Sequence, residues 1–144
     1  MGILKYDAAL LGFMTLFKNT TGVDAKDCFS LDDGTLVFVT EKGTTGLAVG
    51  KEGRNILRLK ASLKKEIKII ETAENPTDLV SNFIWPQKPA AVTRDGNIIN
   101  ITFKNSRDRR ALLSNNKIRL TQLKAVVKRY FPEIEDILLP QQES

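Results

Sequence analysis

Two glycines bracketing two polar residues, Gly50-Lys51-Glu52-Gly53, are the part of this 144-residue chain whose types and spacing are best suited to chemistry. Lacking Cβ atoms, the glycines let the backbone turn tightly and let a second backbone come close. A short apolar segment, Leu47, Ala48 and Val49, precedes the loop, and a basic stretch over residues 54–65 follows it. If that stretch is helical, the loop lies at its N-terminus, where free N–H groups and the helix dipole favour phosphate.

Other chemistries fare poorly. The chain has no histidine, the commonest general base and metal ligand. Its single cysteine, Cys28, falls in an expected strand with no partner base and reads as a small buried hydrophobe. Asp32-Asp33 reads as a turn, and Glu133, Glu135 and Asp136 as polar positions around a last strand. The GKEG loop lacks the spacing and the hydroxyl of a Walker motif. The expectation is therefore a protein without catalytic residues, metal, cofactor or small-molecule substrate. Apolar residues make up 42% and charged residues 27%, a globular balance. No apolar run approaches the roughly 20 residues of a membrane span. The N-terminus has no charged segment leading into an apolar one, and a lone cysteine suits a reducing cytoplasm. A cytoplasmic protein without membrane association is expected.

Charge is unevenly placed. Residues 50–68 carry seven Lys/Arg against two acids, and residues 104–129 carry nine against one. The rest of the chain is net acidic, although the total is +5. Concentrated basic charge is the electrostatic footprint of phosphate binding.

These elements must be positioned by a fold, and the sequence implies one used twice. Shifted by 64 residues, Leu59-Lys60-Ala61 falls on Leu123-Lys124-Ala125 and Lys64-Lys65 on Lys128-Arg129. Ile56 and Leu63 fall on Leu120 and Val127, and Val37 and Val39 on Ile101 and Phe103. Each half places an Asp-Gly turn, Asp33-Gly34 or Asp95-Gly96, between two strand-like runs. The first half reads as a helix over 6–18, strands over 27–31 and 35–41, a short helix over 44–49, a second helix over 54–65 and a strand over 66–71. Residues 72–76 form a linker, where Pro76 favours a fresh helix start. The second half reads as a helix over 77–85, strands over 90–93 and 98–104, helices over 107–113 and 119–131, a strand over 134–139 and a frayed tail over 140–144. At 100° per residue, Arg54, Arg58 and Lys65 lie within about 40° of one another, and Ile56, Leu59 and Leu63 lie opposite.

This order, with Gly46-Leu47-Ala48-Val49-Gly50-Lys51-Glu52-Gly53-Arg54-Asn55-Ile56 following Val37-Phe38-Val39, resembles the tandem type II KH module of NusA transcription factors in their short archaeal form. The opening Phe17-Lys18-Asn19-Thr20-Thr21-Gly22 and Lys26-Asp27-Cys28 add to the likeness. The resemblance implies an α+β fold of two tandem type II KH domains, each α-β-β-α-α-β with its helices on one face of a three-stranded sheet. The first would cover residues 1–73 with its loop at 50–53, the second residues 74–144 with a degenerate loop at 114–117. It also implies a groove that holds about four nucleotides of single-stranded RNA. Amides from Gly50 through Glu52 and Gly53 to Arg54, with the Lys51 side chain, would hold phosphates. Leu47, Val49 and Ile56 would form an apolar floor, and Asn55 and Arg58 would hydrogen-bond to bases or sugars.

The second half departs from the pattern, because Ser114-Asn115-Asn116-Lys117 has no glycine and Gln122 stands where Arg58 does. Asn tolerates left-handed backbone, but Ser and Lys do not allow the same close approach. Arg107, Arg110, Asn115, Asn116, Lys117 and Arg119 are the expected residues of a weaker, electrostatic RNA contact there, or of a protein contact. The resemblance implies a factor that binds the nascent transcript during transcription elongation, termination or antitermination, with RNA polymerase as a further partner. The alternatives are a protein-interaction adaptor on RNA polymerase or a ribosomal particle, and a KH-type ribosome-biogenesis factor.

Overall fold

In the computed structural model, which describes residues 8–85 and 87–141, the first apolar stretch forms helix α1 (Ala8–Thr21). Its end is built from side-chain and backbone bonds together. Thr21 Oγ1 donates to Phe17 O at 2.8 Å and accepts from the Val23 amide at 3.0 Å. Gly22, at φ 76°, donates its amide to Lys18 O, the left-handed helix stop that glycine favours. Tyr6 and Asp7, expected to open this helix, lie outside the described residues.

Strand β1 (Asp27–Ser30) runs antiparallel to β2 (Leu36–Thr40), with Cys28 opposite Phe38. Strand β3 (Ile67–Glu71) runs parallel to β2, with Ile69 opposite Phe38, giving the order β1-β2-β3. The parallel crossover is carried by α2 (Thr45–Val49), a 3-10 turn (Lys51–Gly53) and α3 (Arg54–Leu63). Phe17, Cys28, Leu36, Phe38, Ala48 and Leu59 are buried together in one core. The Phe17 and Phe38 rings stack at 4.4 Å with 21° between their planes. These residues belong to a compact unit that ends at Thr72; a second begins at Ala73.

The second unit opens with α4 (Pro76–Ile84), capped by Asn75, whose Oδ1 accepts from the Asp78 amide at 2.9 Å. Proline at the first helical position needs no amide partner there. Strands β4 (Ala91–Asp95) and β5 (Ile98–Thr102) form an antiparallel hairpin, and β6 (Asp136–Leu138) runs parallel to β5. Helix α5 (Ser106–Tyr130) repeats the Asn-x-x-Asp cap, with Asn105 Oδ1 accepting from the Asp108 amide at 2.9 Å. Non-helical backbone at residues 114–117 divides α5 into two helical runs, as expected from the sequence. The fold is thus α+β with two three-stranded sheets. Among the described residues no helix is long and apolar enough to cross a membrane.

Two expectations need correction. Helix α3 stops at Leu63, and Lys64 adopts left-handed backbone at φ 55°. Lys65 is therefore beyond the helix and does not share an angular face with Arg54 and Arg58. The 64-residue shift also fails in the strands. In the first unit Leu36 and Phe38 belong to the core of buried residues, whereas in the second Ile99, Ile101 and Phe103 alternate as the fully buried positions. The core face of the two strands is thus related by an odd shift, not by 64. A slip of one inverts a strand's faces. The sequence hides it because β2 is buried at every position and carries no alternation.

The helix shift of 64 does hold for the lysine that pairs with an acid beside each closing strand, although the acids themselves are 70 residues apart. Lys60 pairs with Glu66 at 3.2 Å, and Lys124, its counterpart, pairs with Asp136 at 2.9 Å. The Lys124 ammonium and the Ile137 amide both donate to Asp136 Oδ1 and hold its carboxyl below the ordinary 3.8. A carboxyl depressed by folding contributes stability above its unfolded pKa, and this is lost as pH falls through the folded value. Both side chains are 42% exposed, so screening limits the contribution. Asp136→Asn is expected to cost about 0.5 kcal/mol at neutral pH, with the difference vanishing at pH well below 3.8; denaturant midpoints at several pH values measure it. Phe38→Ala, which removes a fully buried stacked ring, is expected to cost about 3–5 kcal/mol in the same measurement.

Candidate nucleic-acid interface

The loop at 50–53 is assembled from conformations that few L-residues adopt. Gly50 lies at φ 82°, ψ 166°, a region open essentially to glycine. Glu52 (φ 56°, ψ 29°) and Gly53 (φ 72°, ψ 17°) are both left-handed. Gly50 donates its amide to Gly46 O and Gly53 donates to Gly50 O. The amides of Lys51 and Glu52 between them have no acceptor among the described residues. Both side chains are exposed, and no side chain caps the start of α3. The turn therefore presents bare N–H groups to solvent at a helix N-terminus, the arrangement that favours an anion.

Asn55 holds this turn. A Cβ built on Gly50 would lie 2.9 Å from Asn55 Cγ and 3.1 Å from its backbone nitrogen. Asn55 Nδ2 also donates to Leu47 O at 3.4 Å. Expected as a base or sugar contact, Asn55 thus has one amide hydrogen directed at the loop's own backbone, which makes it a positioning residue as well.

The cations and apolar groups differ in how they are placed. Lys51, Arg54 and Arg58 are exposed and have no ion-pair partner among the described residues. Leu47 is 67% exposed, whereas Val49 and Ile56 are half-buried and pack against the core of the first unit. Any apolar floor is therefore mostly Leu47, with the other two as its support. Leu57 was missed: it is 62% exposed on α3. The spacing that located the arginines would have found it, since it lies about 60° from Arg54 around the helix.

The second loop takes another route. Ser114 keeps nearly the ψ of Gly50, 167°, but at φ −73°, and Asn115, Asn116 and Lys117 are all left-handed. Arg107, Arg110, Asn115, Asn116 and Lys117 are exposed, and Arg119 is half-buried. Arg109 turns elsewhere, its Nη2 donating to Leu139 O at 2.9 Å.

No family model matches the chain. It is 26% identical over 128 residues to the probable transcription termination protein NusA of Halobacterium salinarum, covering 88% of this chain and 91% of that protein. It is 34% identical over 73 residues to the probable transcription termination protein NusA of Methanococcus vannielii, a match that spans 51% of this chain and only 42% of the relative. The chain resembles archaeal NusA. Among solved structures, the crystal structure of APE1850 shares the fold with a TM-score of 0.74, covering 94% of this chain and all of that one at 22% identity.

In this NusA-like chain the two loop glycines are unequal. Gly53→Ala meets nothing within 4 Å and introduces only left-handed strain, a loss of about 1–2 kcal/mol. Gly50→Ala adds a collision with Asn55 to a glycine-only conformation and is expected to cost at least about 1 kcal/mol more. Urea denaturation of the two variants measures the difference; equal losses would mean that Asn55 moves aside freely.

Proposed function

We propose that this chain consists of two tandem type II KH domains, residues 1–73 and 74–144, and is a non-catalytic, cytoplasmic factor that binds single-stranded RNA. The proposed ligand is the nascent transcript, and the process is transcription elongation, termination or antitermination, with RNA polymerase as partner. The names of the archaeal relatives support the setting in termination.

One observation carries the RNA reading: the Lys51 and Glu52 amides have no acceptor among the described residues, lie at a helix N-terminus and are flanked by Lys51, Arg54 and Arg58, which have no ion-pair partner among those residues. A phosphate seated on the turn would accept from those amides while the cations neutralise its neighbours. Leu47, with Leu57 and the half-buried Val49 and Ile56, would meet the base faces; Asn55 and Arg58 retain donors for base or sugar oxygens. Aromatic residues are 7% of the chain, so binding would depend on backbone and groove contacts more than on stacking. The exposed residues around 114–117 would add weak, sequence-independent attraction.

Lys51→Asp combined with Glu52→Asp tests this reading. Asp tolerates the left-handed position of residue 52, so the melting temperature should be unchanged. Affinity for a short single-stranded RNA should fall more than about tenfold, because two like charges would stand where the phosphate sits. Unchanged affinity in the folded variant would reject the loop as the RNA site.

A further inference from the structure

A second cationic feature of the first unit lies at the other end of α3, about 15 Å from the loop by helix rise. There Asp33 and Gly34 of the β1–β2 turn, with Lys60, Lys64, Lys65 and Glu66, line an open cleft of about 420 Å³. Its carboxylates are engaged. Glu66 accepts from Lys60 at 3.2 Å, and Asp33 Oδ1 accepts from the Thr35 amide at 2.9 Å. Lys64 and Lys65 have no hydrogen-bond or ion-pair partner for their ammonium groups among the described residues.

Lysines at a helix end have an ordinary explanation, attraction to its terminal carbonyls. The second copy of the repeat shows what that explanation leaves over. At the equivalent positions Lys128 Nζ donates to Ile134 O at 3.3 Å, and the Arg129 guanidinium lies 5.8 Å from the Tyr130 ring centroid. Those cations are used within the fold, whereas those of the first unit face the cleft. Lys64 moreover stands at φ 55°, ψ 41°, where glycine is the usual helix stop. A lysine thus occupies a position whose backbone disfavours it, and its side chain lines the cleft.

We propose that this cleft is a second phosphate subsite, in which Lys64 and Lys65 hold the backbone of the same RNA strand beyond the nucleotides in the loop's groove. The inference rests on the RNA reading above and adds a length requirement to it. A ligand of about four nucleotides occupies the groove alone, and only a longer one reaches the cleft.

The test compares Lys64→Gly/Lys65→Ala with the unaltered chain, using polyuridine of about four and about ten nucleotides. Affinity for the longer RNA should fall about three- to tenfold, and its salt slope should drop by about 0.7 for each phosphate that is no longer neutralised. Affinity for the shorter RNA should not change. Thermal stability should hold or rise, since glycine relieves the left-handed strain at residue 64; a purely structural lysine would give the opposite shift. Unchanged affinity for both lengths, or an equal loss for both, would overturn the subsite. The Lys51→Asp/Glu52→Asp variant serves as the control for the groove. Binding of the short RNA that survives it would remove the groove reading, while the lysine variant still decides whether the cleft holds RNA.

Discussion

The four-residue connection between α2 and α3 must turn the chain sharply while leaving the Lys51 and Glu52 amides without an acceptor among the described residues, a constraint that left-handed and glycine-only backbone satisfies. Residues 50–53 meet that constraint with φ values of 82° at Gly50, 56° at Glu52 and 72° at Gly53. Asn55 then fills the space that a side chain on Gly50 would need. The rest of the first unit serves this turn. The Phe17–Phe38 stack and Leu59 anchor the sheet and α3, and α3 in turn sets where the bare amides point.

The second unit meets the same connection without glycine. Ser114 reaches the ψ of Gly50 from the negative side of φ, and the chain then makes three left-handed steps in place of two. Asn115 and Asn116 bear such conformations with modest strain; Lys117 does so less easily. The outcome is a turn of the same length with side chains on all four residues, which hold another backbone at a greater distance. Loss of glycine here therefore changes what can approach the turn more than it changes the architecture.

Much of the architecture was legible because each element carries its own local signal. Pro76, the two Asp-Gly turns and the divided helix at 114–117 all announce boundaries within a few residues of where they fall. The errors arose where local signals were silent. Strand β2 is buried throughout, so no alternation marked its register against β5. Helix α3 ends at a lysine in a glycine-like conformation, a stop that composition cannot reveal, and this placed Lys65 on a helix it does not join. At the loop, residue types identified the glycines and cations, while the support of Gly50 by Asn55 depends on a contact that spacing does not encode.

The core position of Cys28 has a practical consequence. Its thiol is fully buried in the first unit and is the chain's single sulfhydryl. Alkylating reagents and disulfide-exchange probes can reach it only when that unit opens. Their rate of reaction is consequently an intrinsic clock for opening of the first half of the molecule, blind to unfolding confined to the second.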